Sequence, residues 1–171
     1  MNLHIKSFSW LIMATLSMAA CQSSGNQDSP SKSTHPDQEW TGDAIADPII
    51  YEVLVKNPDP DDEWASEKIK KLKAKEFINT LFDAVYEGRA TPYNYHTGEV
   101  MSIDDIRQLE SSEEFDRTLI GKIQFDETWY FDPTSMIMKK DVKSVLLAYE
   151  VYDQFEEVVG YKAAFLIHLN E

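Results

Sequence analysis

The sequence is poor in the residues that most small-site chemistry needs. Cysteine occurs once in 171 residues, at Cys21, which excludes an internal disulfide framework and any multi-cysteine zinc site. The four histidines, His4, His35, His96 and His168, are scattered and give no metal-ligand spacing. Cations are scarce: 16 Lys and Arg stand against 30 Asp and Glu, a formal net charge of −14. A surface of that sign repels phosphate backbones and disfavours anionic membrane surfaces, so nucleic acid is not an expected partner. No Gly-rich phosphate loop, dinucleotide fingerprint, HExxH or G-x-S-x-G is present. What remains is globular in character. A composition 43% hydrophobic and 12% aromatic supplies a real core for one ordinary domain.

Residues 1–20 follow the layout of a secretory signal, with Lys6 in the n-region and a mostly apolar stretch from Phe8 to Leu16. That stretch is too short for a comfortable spanning helix. Ala19 and Ala20 lead directly into Cys21, an arrangement that resembles the lipobox of bacterial lipoproteins, with Met18 where the pattern prefers Leu. The resemblance implies an acyl group, palmitate among others, on Cys21 as the first mature residue. Gln22, in place of Asp, implies sorting to the outer membrane. The alternative is an ordinary cleaved signal that leaves a free thiol.

Residues 21–46 are rich in Ser, Gln, Asp and Pro and offer little to bury, which predicts a disordered tether. Residues 47–171 are expected to form one α+β domain, helices first and a three-stranded or larger antiparallel sheet last. The apolar run at residues 49–55 reads as a strand or the start of a packed arm, stopped by Pro58 and Pro60. A helical stretch then covers residues 63–87. Ala74, Ile78, Leu81, Phe82, Val85 and Tyr86 share one face, Gly88 ends it, and Ile69 and Leu72 lie off the stripe, indicating a break or bend. Ser102 with Asp105 predicts a capped short helix over 103–110. Strands follow at 121–132, 136–151 and 158–169, with turns at Asp132-Pro133-Thr134-Ser135 and Tyr152-Asp153-Gln154.

Candidate chemistry is thin. Asp59, Asp61, Asp62 and Glu63 lack the Gly and the twelfth-position Glu of a calcium loop and read as solvated acids. Asp126, Glu127 and Asp132 flank an aromatic run, and Asp126 with Asp132 defines the alternative reading, a ligand-binding or metal-dependent hydrolytic site. The leading expectation is a non-enzyme with no cofactor and no metal. Binding is carried instead by aromatics: Tyr93 and Tyr95 beside a loop, and Trp129, Tyr130 and Phe131 in succession. Strand alternation must put at least one of those three on the second face of the sheet.

Three stretches together carry a family resemblance. Residues 77–93 form a helix running into Gly88-Arg89-Ala90-Thr91-Pro92-Tyr93, residues 101–106 form a short capped helix, and residues 128–136 read Thr-Trp-Tyr-Phe-Asp-Pro-Thr-Ser-Met ahead of a long strand. This order resembles the GldN/PorN family of gliding-motility and type IX secretion components, over residues 70–170. Where the family usually carries an Arg-Ile pair, this chain has Lys139-Lys140-Asp141-Val142. The resemblance implies a structural role in a periplasmic ring beneath the outer membrane. Its implied partners are a ring lipoprotein and the periplasmic shaft subunits of an inner-membrane motor.

Overall fold

The structure, a computed structural model, describes residues 42–59 and 61–169. The expected signal segment, Cys21 and most of the expected tether lie outside those residues. Among the described residues five strands and three helices build an α+β fold. The strands are β1 (Asp43–Leu54), β2 (Pro92–Tyr93), β3 (Ile120–Asp132), β4 (Ile137–Tyr152) and β5 (Val158–His168). The helices are α1 (Glu63–Ile69), α2 (Ala74–Tyr86) and α3 (Ile103–Ser111), with a 3-10 turn at Arg117–Leu119 leading into β3. All strand pairs are antiparallel, in the order β1-β3-β4-β5-β2.

Helices do not come first. β1 precedes them, pairs with β3 at one edge of the sheet, and begins at Asp43, inside the stretch expected to be tether. Residues 49–54 lie in the run read as a strand or the start of a packed arm, and Pro48 conceals the part of the strand that precedes it. The β1–β3 register shifts between Ala46 and Ile49, and an edge strand tolerates a proline at such an irregularity.

The expected helix over 63–87 is two helices. Asp62 caps α1, accepting from the Ala65 backbone N–H at 2.9 Å, and α1 buries no residue. α2 buries Ile78, Leu81, Phe82, Ala84 and Val85, and Gly88 follows it at φ +72°, a conformation that favours glycine. α3 opens on the predicted capping box: Ser102 Oγ accepts from Asp105 N–H at 3.2 Å, and Asp105 accepts from Ser102 N–H at 2.7 Å.

The core lies between α2, α3 and one face of β3, β4 and β5. Phe82 meets Phe165 edge-on at 4.8 Å, and Phe115 bridges Phe82 and Tyr149 at 6.1 and 5.1 Å. Ile106, Ile123, Leu147 and Ile167 fill the rest. Arg117 clamps the helical layer: its guanidinium lies 4.2 Å from the Phe82 ring centre while Nε donates to Glu110 on α3 and Nη1 to Asn79 on α2. Tyr86 also donates to Glu110, and burial together with that carboxylate pushes the phenol up to about 12.

On the opposite face β4 carries Glu150, whose side chain is fully buried. One oxygen, Oε2, takes both the Lys56 ammonium and the Tyr152 hydroxyl. Gly121 of β3 makes room for it, since a Cβ there would stand 2.8 Å from Glu150 Cγ and Oε1. Lys56 and Tyr152 both hold Oε2, which resists a shift of the side chain. Gly121→Ala is therefore expected to lower the unfolding free energy by about 1–3 kcal/mol. Chemical denaturation checks this, and a loss below about 0.5 kcal/mol contradicts the close packing.

Candidate functional site

The face of the sheet that the helices cover continues beyond them. The core ends at Phe125 and Val142, yet β3 and β4 stay paired as far as Asp132 and Ile137. Between Asp126 and Glu127 the register shifts, leaving Lys143 as an extra residue on β4 and restoring the alternation past it. Glu127, Trp129 and Phe131 then share this face with their partners Val142, Lys140 and Met138 on β4. β1 supplies the third strand, with Tyr51 opposite Phe125 and Ala46 opposite Trp129. The result is a three-stranded arm with no helix over it among the described residues.

Its centre is Glu127, whose side chain is 4% exposed. Tyr51 Oη donates to Oε1 at 2.8 Å, Trp129 Nε1 donates to Oε2 at 2.5 Å, and Lys140 Nζ stands 3.4 Å from Oε2. Lys140 also covers the rings, 4.3 Å from the Trp129 centroid and 5.2 Å from that of Tyr51. Tyr51 meets Trp129 edge-on at 6.3 Å and Phe125 at 5.8 Å. Burial alone would raise the Glu127 carboxyl. The hydrogen bonds from Trp129 and Tyr51 and the charge of Lys140 outweigh it and hold the group below its ordinary 4.5. The ionised carboxylate, bound on both oxygens, orients the indole.

Trp129, Tyr130 and Phe131 are each half-buried. They are neither core nor free surface. Trp129 and Phe131 face the arm's front with Glu127, and Tyr130 faces the back. Exposed apolar groups surround them: Met136 (74%), Ile137 (43%) and Met138 (46%) at the tip, and Ile45 (58%) on β1. Met136 holds φ +57°, a strained conformation for a side chain of its size, in the loop after Asp132. Asp132 builds that loop, accepting from Thr134 N–H at 2.9 Å and Ser135 Oγ at 2.7 Å.

The geometry separates the candidate residues named from the sequence. Tyr93 and Tyr95 do not join Trp129 in one patch. Tyr93 pairs with Leu166, in the row that continues through Leu146 to Gln124, so it faces the sheet's back. It lies about 14 Å across the sheet and about 17 Å along it from Trp129. There its ring packs edge-on against His168 at 4.9 Å, while exposed Tyr95 packs on His96 at 5.3 Å. Asp126 and Asp132 do not meet either. Six residues of strand set them about 20 Å apart, and Asp132 is spent on its turn. Among the described residues no group of three His, Cys, Asp or Glu is placed to hold a metal ion, and no helix is long and apolar enough to cross a membrane.

Sequence reasoning picked out Trp129 but not Tyr51, Glu127 or Lys140 as its companions. Tyr51 is 76 residues from Glu127 and reaches it only through the β1–β3 register. The one local signal is Glu127-x-Trp129, two positions that share a strand face. Compared with known proteins, the chain matches no family model and no curated protein sequence.

The lowered Glu127 carboxyl makes a pH prediction. Its contribution to stability is complete above the ordinary value of 4.5 and is lost as pH falls through the folded value. The stability gap between wild type and Glu127→Gln is expected to be flat from about pH 6 to 8 and to close below about pH 4.5. Urea titrations across that range check it; a gap that persists undiminished to about pH 3 contradicts the charge assignment.

Proposed function

We propose that this protein is a non-enzymatic, lipid-anchored envelope component that binds a protein partner through the front of the β1–β3–β4 arm. Trp129 carries the reading. Its indole is half-buried, fixed in place by Glu127, Tyr51 and Lys140, and shares the arm's front with exposed Met138. A rigid aromatic of that kind loses little conformational entropy on contact and is the usual anchor of an interface. The resemblance to the GldN/PorN components supports the same region, because residues 128–136 are the end of β3 and the arm's tip loop. In this reading the partners are the ring lipoprotein and motor-shaft subunits of a type IX secretion or gliding apparatus. The lipid sits on Cys21, and the domain faces the periplasm from the outer membrane. The net charge of −14 steers a basic partner toward it.

Two experiments test this. Labelled palmitate is expected to enter the wild-type protein and not Cys21→Ser; equal labelling of both contradicts the anchor. In-cell crosslinking followed by affinity capture is expected to recover the partner with wild type. Trp129→Ala is expected to reduce capture about tenfold or more and to lower the melting temperature, because Glu127 loses a donor. Met136→Glu, at an exposed loop position that no packing needs, is expected to weaken it too. Undiminished capture by both variants refutes the arm as the contact.

A further inference from the structure

A separate cleft of about 290 Å³ opens where the end of β1, the start of α2, the 3-10 turn and the start of β3 meet. It lies nine residues down β3 from Trp129, about 30 Å away, and so is distinct from the arm. Its floor is apolar: Val55, Ile78 and Ile120 are 8%, 4% and 2% exposed. Its polar lining includes Lys75, Asn79 and Arg117. In a chain with 30 Asp and Glu, no carboxylate belongs to the described lining.

We propose that this cleft binds a small anionic amphiphile, a short apolar chain ending in a carboxylate. The floor desolvates the chain, and the size falls just below the range of drug-sized pockets, which selects a short one. Lys75 recognises the head: among the described residues it makes no ion pair, so its ammonium is uncommitted. Arg117 Nη1 donates to Asn79 Oδ1 at 3.3 Å, which leaves the Asn79 amide nitrogen as a second donor. The approach is cationic as well. Residues 68–75 carry Lys68, Lys70, Lys71, Lys73 and Lys75 with no acid between Glu67 and Glu76, the densest basic run in an acidic chain. Lys56 also lines the cleft, but Glu150 already holds its ammonium. A cationic head would meet Lys75 and Arg117 and be repelled.

Titration of octanoate into the full chain, read by methyl NMR shifts of Ile78 and Ile120, tests the site, with octanol and octylammonium as controls. Octanoate is expected to bind saturably, octanol about tenfold more weakly, and octylammonium not at all. Lys75→Glu is expected to weaken octanoate about fivefold or more while the melting temperature stays unchanged. Equal binding of all three molecules shows an unselective apolar groove and overturns the proposal. So does the absence of a saturable shift with octanoate, or full retention of its binding by Lys75→Glu.

Discussion

A helix of thirteen residues is about 20 Å long, whereas a strand of sixteen spans about 50 Å. This mismatch between α2 and β4 shapes the rest of the molecule. However the helix is laid across the sheet, it covers only part of the strands it packs on. The covered part becomes an ordinary core around Phe82, Leu147 and Phe165. The uncovered part must shield its own face, and it does so with side chains long enough to lie along the sheet. Lys140 spreads over Trp129 and Tyr51, and Glu127 beneath them binds all three. The ion pair is nearly buried on one side and partly exposed on the other, a geometry in which removing either charge leaves its partner poorly satisfied.

Two buried glutamates therefore do different work in one sheet. Glu150 sits on the back, where Gly121 makes space for it and Lys56 and Tyr152 share one oxygen, so it pins the end of β1 to β4. Glu127 sits on the front, where it fixes the orientation of aromatic rings that remain half-exposed. The first arrangement serves the fold. The second leaves an organised, partly apolar surface at the end of the arm, which is why the functional reading rests there.

Much of the fold is legible in the sequence where the signal is local. The Ser102–Asp105 capping box, the α2 stripe, Gly88 and both hairpin turns follow from residue chemistry within a few positions, and each is found where that chemistry puts it. β1 is harder. Pro48 argues against a strand, and the residues before it, Asp43 to Ala46, have little strand propensity, so only pairing with β3 reveals that they belong to the sheet. The same holds for the site. The aromatic run is visible as a run, and alternation correctly separates Tyr130 from Trp129 and Phe131. That Tyr51 and Lys140 complete it, and that Tyr93 stands on the other face, depends on register across five strands. Periodicity within one segment carries no such information.

The arm as a contact surface is tested most directly by a photoreactive amino acid placed at Met138 on the arm's front, with Glu113, an exposed residue ahead of the 3-10 turn, as the control position. Irradiation of intact cells is predicted to give a discrete protein adduct from position 138 and none from position 113. No adduct from position 138, or the same adduct from both positions, would contradict the arm as the binding surface.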